Sequence, residues 1–171
     1  MCIWDTATAR VRQVLKGHHD AVSAIALHSA KGIAVSGSYD RCVAIWDLSA
    51  EKPMLILKGH ADGIIAVTIG PDGTKALSAS SDGDVILWDI ECGRILRRWD
   101  AHRRGITFLS TLPNWQTVLT GSMDGTIKIW DLATGSCLQT LRSHLDGVSA
   151  GAVAPSGDYV LSGGSDGTLR L

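Results

Sequence analysis

The stretch Val35–Asp47, VSGSYDRCVAIWD, returns as LSASSDGDVILWD at Leu77–Asp89 and as LTGSMDGTIKIWD at Leu119–Asp131, a step of 42 residues each time. A fourth copy, LSGGSDGTLRL, begins at Leu161, and Trp4-Asp5 falls on the same register ahead of the first. Outward from the Trp-Asp pairs, two more series keep the step: the histidines His18, His60, His102 and His144, and the turn aspartates Asp40, Asp82, Asp124 and Asp166. Three residue types locked to one period of this length predict a repeat built of four-stranded sheets, each the size of one propeller blade.

Within each period, short alternating apolar runs are bounded by Gly, Asp, Asn and Ser, the pattern of strands and turns rather than of helices. In the first complete period, strand a is read at Val22–Leu27, strand b at Ile33–Ser36, strand c at Val43–Trp46 and strand d at Leu55–Leu57. Complete blades are assigned to 17–58, 59–100 and 101–142, with partial blades at 1–16 and 143–171. Pro71-Asp72-Gly73 and Pro155-Ser156-Gly157 supply the backbone angles of tight a–b turns. The third period departs from this pattern. Leu112-Pro113-Asn114-Trp115-Gln116 sets a bulky indole in the a–b turn, and Ala101 stands where glycine precedes His18 and His60. A looser or locally reshaped blade is expected there.

The composition is that of an ordinary globular chain, with 45% hydrophobic residues, 19% charged residues and a net charge of −1. The densest basic spots, Arg97-Arg98 and Arg103-Arg104, fall in loop or edge contexts, so a nucleic-acid partner is not expected. Cys2, Cys42, Cys92 and Cys137 form no CxxC pair and occupy different points of the repeat, which argues against zinc and against a disulfide framework. No leader or apolar stretch of membrane length is read at the start, so no membrane partner is expected and a cytoplasmic or nuclear setting is the default.

His18, Ser36 and Asp40 have the side-chain types of a nucleophile, base and orienting carboxylate. The set returns as His60, Ser78, Asp82, then His102, Thr120, Asp124, then His144, Ser162, Asp166. Catalysis needs one site with its own pocket and oxyanion donors, so fourfold repetition favours a structural role. With this set and its spacing, the chain resembles the WD-repeat, or beta-transducin repeat, family over essentially its whole length. The resemblance implies an all-β propeller, and it implies that Trp46, Trp88 and Trp130 join the His, hydroxyl and Asp groups in buried hydrogen-bonded networks. No cofactor or catalytic residue follows from it.

Function is then expected on exposed rims, where loops project from a rigid scaffold. The resemblance places partner contacts at three positions per blade. The residue before the turn aspartate is Tyr39, Ser81, Met123 or Ser165; three after the histidine stand Ala21, Gly63, Gly105 and Gly147; five after it stand Ser23, Ile65, Thr107 and Ser149. Of these, Tyr39, Ile65 and Met123 are large enough to anchor a peptide, with Tyr39 and Met123 as expected pocket walls. The leading reading is a non-catalytic scaffold for a protein or peptide. Alternatives are a sensor or autoinhibitory propeller of a signalling ATPase or another effector, and a ubiquitin-ligase substrate receptor. Arg two residues after Trp-Asp would favour the receptor, but Ala7, Ser49, Glu91 and Ala133 stand there.

The repeat opens and ends inside strand c. This predicts either the remaining blades of a longer, seven- or eight-bladed propeller, or self-association in which residues 1–15 complete the fourth repeat and set Trp4 beside His144, Ser162 and Asp166.

Overall fold

The computed structural model describes residues 1–142 and 144–171. The chain forms antiparallel sheets in sequence order, connected by short turns, with one 3-10 turn at Ser29–Lys31. A two-stranded hairpin, β1 (Cys2–Asp5) and β2 (Arg10–Val14), comes first. Three four-stranded blades follow: β3 (Val22–His28) to β6 (Pro53–Lys58), β7 (Ile64–Ile69) to β10 (Arg94–Asp100), and β11 (Ile106–Thr111) to β14 (Cys137–Arg142). Their inner strands are β4 (Ile33–Ser38) and β5 (Cys42–Asp47), β8 (Lys75–Ser80) and β9 (Asp84–Asp89), and β12 (Thr117–Ser122) and β13 (Thr126–Asp131). A three-stranded sheet of β15 (Val148–Val153), β16 (Val160–Gly164) and β17 (Leu169–Arg170) ends the series. The fold is an all-β propeller of four-stranded blades, three complete and two partial, as the repeat predicts.

The second and third strands of each blade are covered on both faces, so β4, β5, β8 and β9 are buried almost throughout. The fourth strands, β10 and β14, lie at the circumference and are largely exposed. The core is divided between blades. Val35, Val43 and Ile45 of the first blade meet Ile64, Ile86 and Trp88 of the second. Leu77, Val85 and Leu87 then meet Ile106, Val118 and Trp130, and Phe108, Leu119 and Ile127 meet Val148. Stacking of this kind gives a nearly one-dimensional assembly in which interfaces between neighbours supply the stability.

The first strands β3, β7, β11 and β15 share a feature that the repeat does not announce. Each carries one residue without a cross-strand partner, at Ser23, Ile65, Thr107 and Ser149. Such bulges turn a side chain away from the regular alternation.

The third blade keeps its four strands, and Ala101 is fully buried rather than loosening the sheet. The reshaping is confined to the a–b turn, where Trp115 adopts φ 54°. At the two ends of the stack apolar faces are open. Ile25 and Leu27 on β3 are 55% and 66% exposed, whereas their equivalents Val67 and Ile69 pack into the core between the first two blades. Leu169 and Leu171 are likewise exposed. Completion of the fourth repeat by β1 within one chain is not the arrangement adopted. Met1, Ile3 and Leu15 pack on Trp46 of the first blade, and Trp4 faces solvent.

Candidate interaction face

The four polar networks form where the loop before strand a folds over the b–c turn. His18 Nδ1 lies 2.8 Å from Asp40 Oδ2 and Nε2 lies 2.7 Å from Ser36 Oγ, while Trp46 Nε1 donates to the same Oγ at 2.8 Å. His60 repeats this with Asp82, Ser78 and Trp88 at 3.2, 2.8 and 2.8 Å. His102 does so with Asp124, Thr120 and Trp130 at 3.0, 2.8 and 2.8 Å. In the fourth copy His144 bonds to Asp166 and, at 3.0 Å, to Ser162. All fifteen residues assigned to the networks from the sequence are thus brought together.

Donor bookkeeping assigns the protons. The hydroxyl accepts from the indole and has one hydrogen left, which it gives to His Nε2. For His60 and His102, which burial keeps neutral, the imidazole proton is then on Nδ1, donating to the carboxylate. Burial pushes the His60 and His102 imidazoles below the usual histidine range, against the pull of Asp82 and Asp124. For Asp40, Asp82 and Asp124 burial acts upward but is outweighed: backbone amides and imidazoles hold the carboxyls below their ordinary value. Ser36, Ser78 and Thr120 are fully buried, with the indole occupying one side of each oxygen. A substrate cannot reach these hydroxyls, so they close the sheet register rather than act as nucleophiles.

The rim positions lie just outside these networks. Tyr39, Ser81, Met123 and Ser165 each donate a backbone N–H to the carbonyl of Ala21, Gly63, Gly105 or Gly147, at 3.0, 3.0, 3.0 and 2.8 Å. The same link therefore joins the first two sets of rim residues in every blade. Three of the first set, Tyr39, Ser81 and Met123, also reach across to the next blade. Tyr39 lies over Gly63, where an added Cβ would meet its Cδ1 at 2.5 Å, and Met123 lies against Gly147. The third set is formed by the bulge residues, which explains why those side chains leave the strand alternation. Ser23 is held by bonds to Gly37 O and Ile64 O, tying the first blade to the second. Ile65 is half-buried.

Met123 is 58% exposed and stands beside a groove of about 640 Å³ between the third and fourth blades. Arg104, Thr107, Asp146, Val148, Ser149 and Ser165 are among the residues that line it. Ser149 and Ser165 hydroxyls are 3.1 Å apart, and the buried Thr107 Oγ1 has no hydrogen-bond partner. Tyr39 is not part of this groove: it belongs to the first blade, Met123 to the third. The expected pairing of Tyr39 with Met123 as walls of one pocket is therefore replaced by Met123 with the hydroxyl-bearing residues of the fourth blade.

One feature had no repeat signal. Asp84 stands where other blades carry Cys42, Thr126 and Thr168, and its carboxylate accepts from Arg98 Nε at 2.6 Å. Burial raises its carboxyl above the ordinary value despite Arg98, with Asp100 directly across the strand pair acting in the same direction. Four cysteines are free thiols. Among the described residues, no group of three or more His, Cys, Asp or Glu is placed to hold a metal, and no helix is long and apolar enough to cross a membrane.

A family profile, WD domain, G-beta repeat, matches residues 9–47, 51–89, 93–131 and 135–171. The chain belongs to this WD40 family. The first three matched repeats end on Trp-Asp, and each of the four starts with the outer strand of the preceding blade, so family repeat and structural blade are offset by one strand. Comparison with curated proteins returned no match.

Proposed function

We propose that the chain is a non-catalytic interaction scaffold that receives a protein or peptide on the rim carrying the b–c turns, with the groove beside Met123 as its principal contact. The observation that carries this reading is the combination of Met123, an exposed apolar side chain, with the Ser149–Ser165 hydroxyl pair across the groove. An apolar anchor flanked by a few directed polar groups is the usual makeup of a peptide contact. The surrounding backbone is fixed by the repeated cross-loop bonds, so little ordering is required on binding. The WD40 family as a whole supports protein binding over chemistry, and the sealed hydroxyls of the networks agree with it.

Crosslinking mass spectrometry in extracts of the source cells, comparing the wild type with Met123→Glu, tests this. The reading expects a partner crosslinked near Arg104 that is lost with Met123→Glu while the thermal melt is unchanged. Retention of every crosslinked partner by a folded Met123→Glu protein would remove the groove from the account.

A further inference from the structure

Trp115 is strained in a way that its neighbours in the repeat are not. Its φ of 54° lies in the left-handed region, which bulky side chains rarely adopt, and the equivalent turn positions of the second and fourth blades are Gly73 and Gly157 at φ 62° and 82°. A left-handed conformation costs a residue with a Cβ roughly 1–2 kcal/mol relative to glycine. The third turn thus holds an indole where glycine would relieve strain. Such conformations cluster at functional sites; Ala9 and Arg41 share one, but of the three only Trp115 sets a large apolar side chain in a groove, where it also packs on the core of the second and third blades.

The indole folds over Gly70 of the second blade, with Cζ3 and Cη2 3.2 Å from where a Cβ would stand, and walls a groove of about 400 Å³. This groove opens between the second and third blades at the a–b and c–d turns, the end opposite the Met123 rim. Leu87, Leu96 and Leu132 supply apolar lining, and Lys75 and Arg97 supply cations. Neither cation has a carboxylate within 4 Å among the described residues, although Arg97 Nη1 donates to Thr134 O at 2.9 Å. The one acid in the lining, Asp131, turns Oδ1 onto the Thr134 amide and hydroxyl at 2.7 and 2.6 Å. The combination occurs once. The register equivalents of Lys75, Arg97 and Trp115 are Ile33, Leu55 and Gly73 one blade earlier, and Thr117, Gln139 and Gly157 one blade later.

We infer that this groove is a second docking site, for a peptide segment that sets an acidic side chain beside a leucine-like one. The apolar side chain enters between Trp115 and Leu96, and the carboxylate pairs with Lys75 and Arg97. The inference goes beyond the rim site and stands apart from it, since no residue is shared.

The experiment is a 15N NMR titration that follows the indole Nε1–H signals, with the Trp115 signal assigned by its loss in Trp115→Gly. Three capped tetrapeptides are the probes: Ac-Glu-Leu-Asp-Leu-NH2, its Gln/Asn analogue and its Lys/Lys analogue. The acidic peptide is expected to move the Trp115 signal at millimolar concentration or below, and the neutral and basic analogues to leave it in place. In Lys75→Gln/Arg97→Gln, whose surface positions leave the fold intact by the remaining indole signals, binding is expected to weaken about tenfold. Met123→Glu is expected to bind the probe as the wild type does, so failure here and failure of the rim site are separately visible. A Trp115 signal unmoved by the acidic peptide, or moved equally by all three, overturns the inference. Trp115→Gly adds a thermodynamic arm. If the indole serves only packing, its removal lowers the melting temperature; if it is held against strain for a ligand, the melting temperature is unchanged or rises while the Leu96 and Leu132 methyl signals no longer respond to the probe.

Discussion

Removal of one hydroxyl, in Ser78→Ala, tests the network argument most directly. Ser78 is fully buried and its Oγ stands 2.8 Å from both Trp88 Nε1 and His60 Nε2. The substitution leaves no sizeable cavity, because a methyl group replaces a hydroxymethyl group. It does leave two groups without partners, an indole donor and an imidazole acceptor. At about 1–3 kcal/mol for each buried orphan, partly offset by local adjustment, the loss should be about 2–4 kcal/mol. For a chain of this length that corresponds to roughly 5–12 °C in melting temperature. Urea unfolding at pH 7.5, followed by tryptophan fluorescence and by circular dichroism, measures the free energy and shows whether the two signals coincide. Ser162→Ala is the internal control. Ser162 Oγ bonds to His144 but to no indole, so its removal orphans one group and should cost about half as much. Equal losses for Ser78→Ala and Ser162→Ala, or a loss below about 0.5 kcal/mol for Ser78→Ala, would refute the accounting.

In Gly121→Ala the new Cβ would run into the ring of Phe108, so a loss of about 1–3 kcal/mol in urea is expected, largely recovered in the double variant with Phe108→Leu. On acidification, stability should fall in two stages. Burial keeps folded His60 and His102 from protonating where the unfolded chain does, so the unfolded state takes up more protons as pH falls below about 6.5 and the melting temperature declines. Asp40, Asp82 and Asp124 are held low in the fold, so their contribution is present above about pH 3.9 and is lost as pH falls through the folded values, giving a steeper second decline. A melting temperature that rises between pH 6.5 and 5 would contradict the histidine assignment. Asp100→Asn removes a like charge facing the buried Asp84 across the strand pair and should raise the melting temperature slightly at pH 7.

The parts of this architecture that sequence reveals are those that covalent periodicity carries. Trp46, Ser36 and His18 lie at fixed intervals because one sheet must present them to one another, and the interval repeats wherever a sheet does. Bulges at Ser23, Ile65, Thr107 and Ser149 leave no such trace: they arise from pairing between β3 and β4 and its equivalents, and the residue types at the bulge differ in size and polarity. The groove beside Met123 was half legible. Its members were on the rim by register, but which of them meet depends on how one sheet is rotated onto the next, and the rotation places Met123 against Gly147 rather than near Tyr39. The indole of Trp115 was visible as a residue that breaks the pattern, whereas the Asp84–Arg98 pair was not. What the indole touches follows from the neighbouring blade as well as from its own.

The one-strand offset between family repeat and blade has a further consequence for how the molecule survives damage. Residues 51–89 carry β6, which is hydrogen-bonded to β5 of the preceding repeat, so consecutive units overlap like roof tiles, each lapped under the one before. A cut in the turn between β5 and β6 falls at a repeat boundary in sequence but inside a continuous ladder in space. The two pieces stay fastened along the full length of a strand, and a gel run under denaturing conditions would reveal a break to which the folded protein is indifferent.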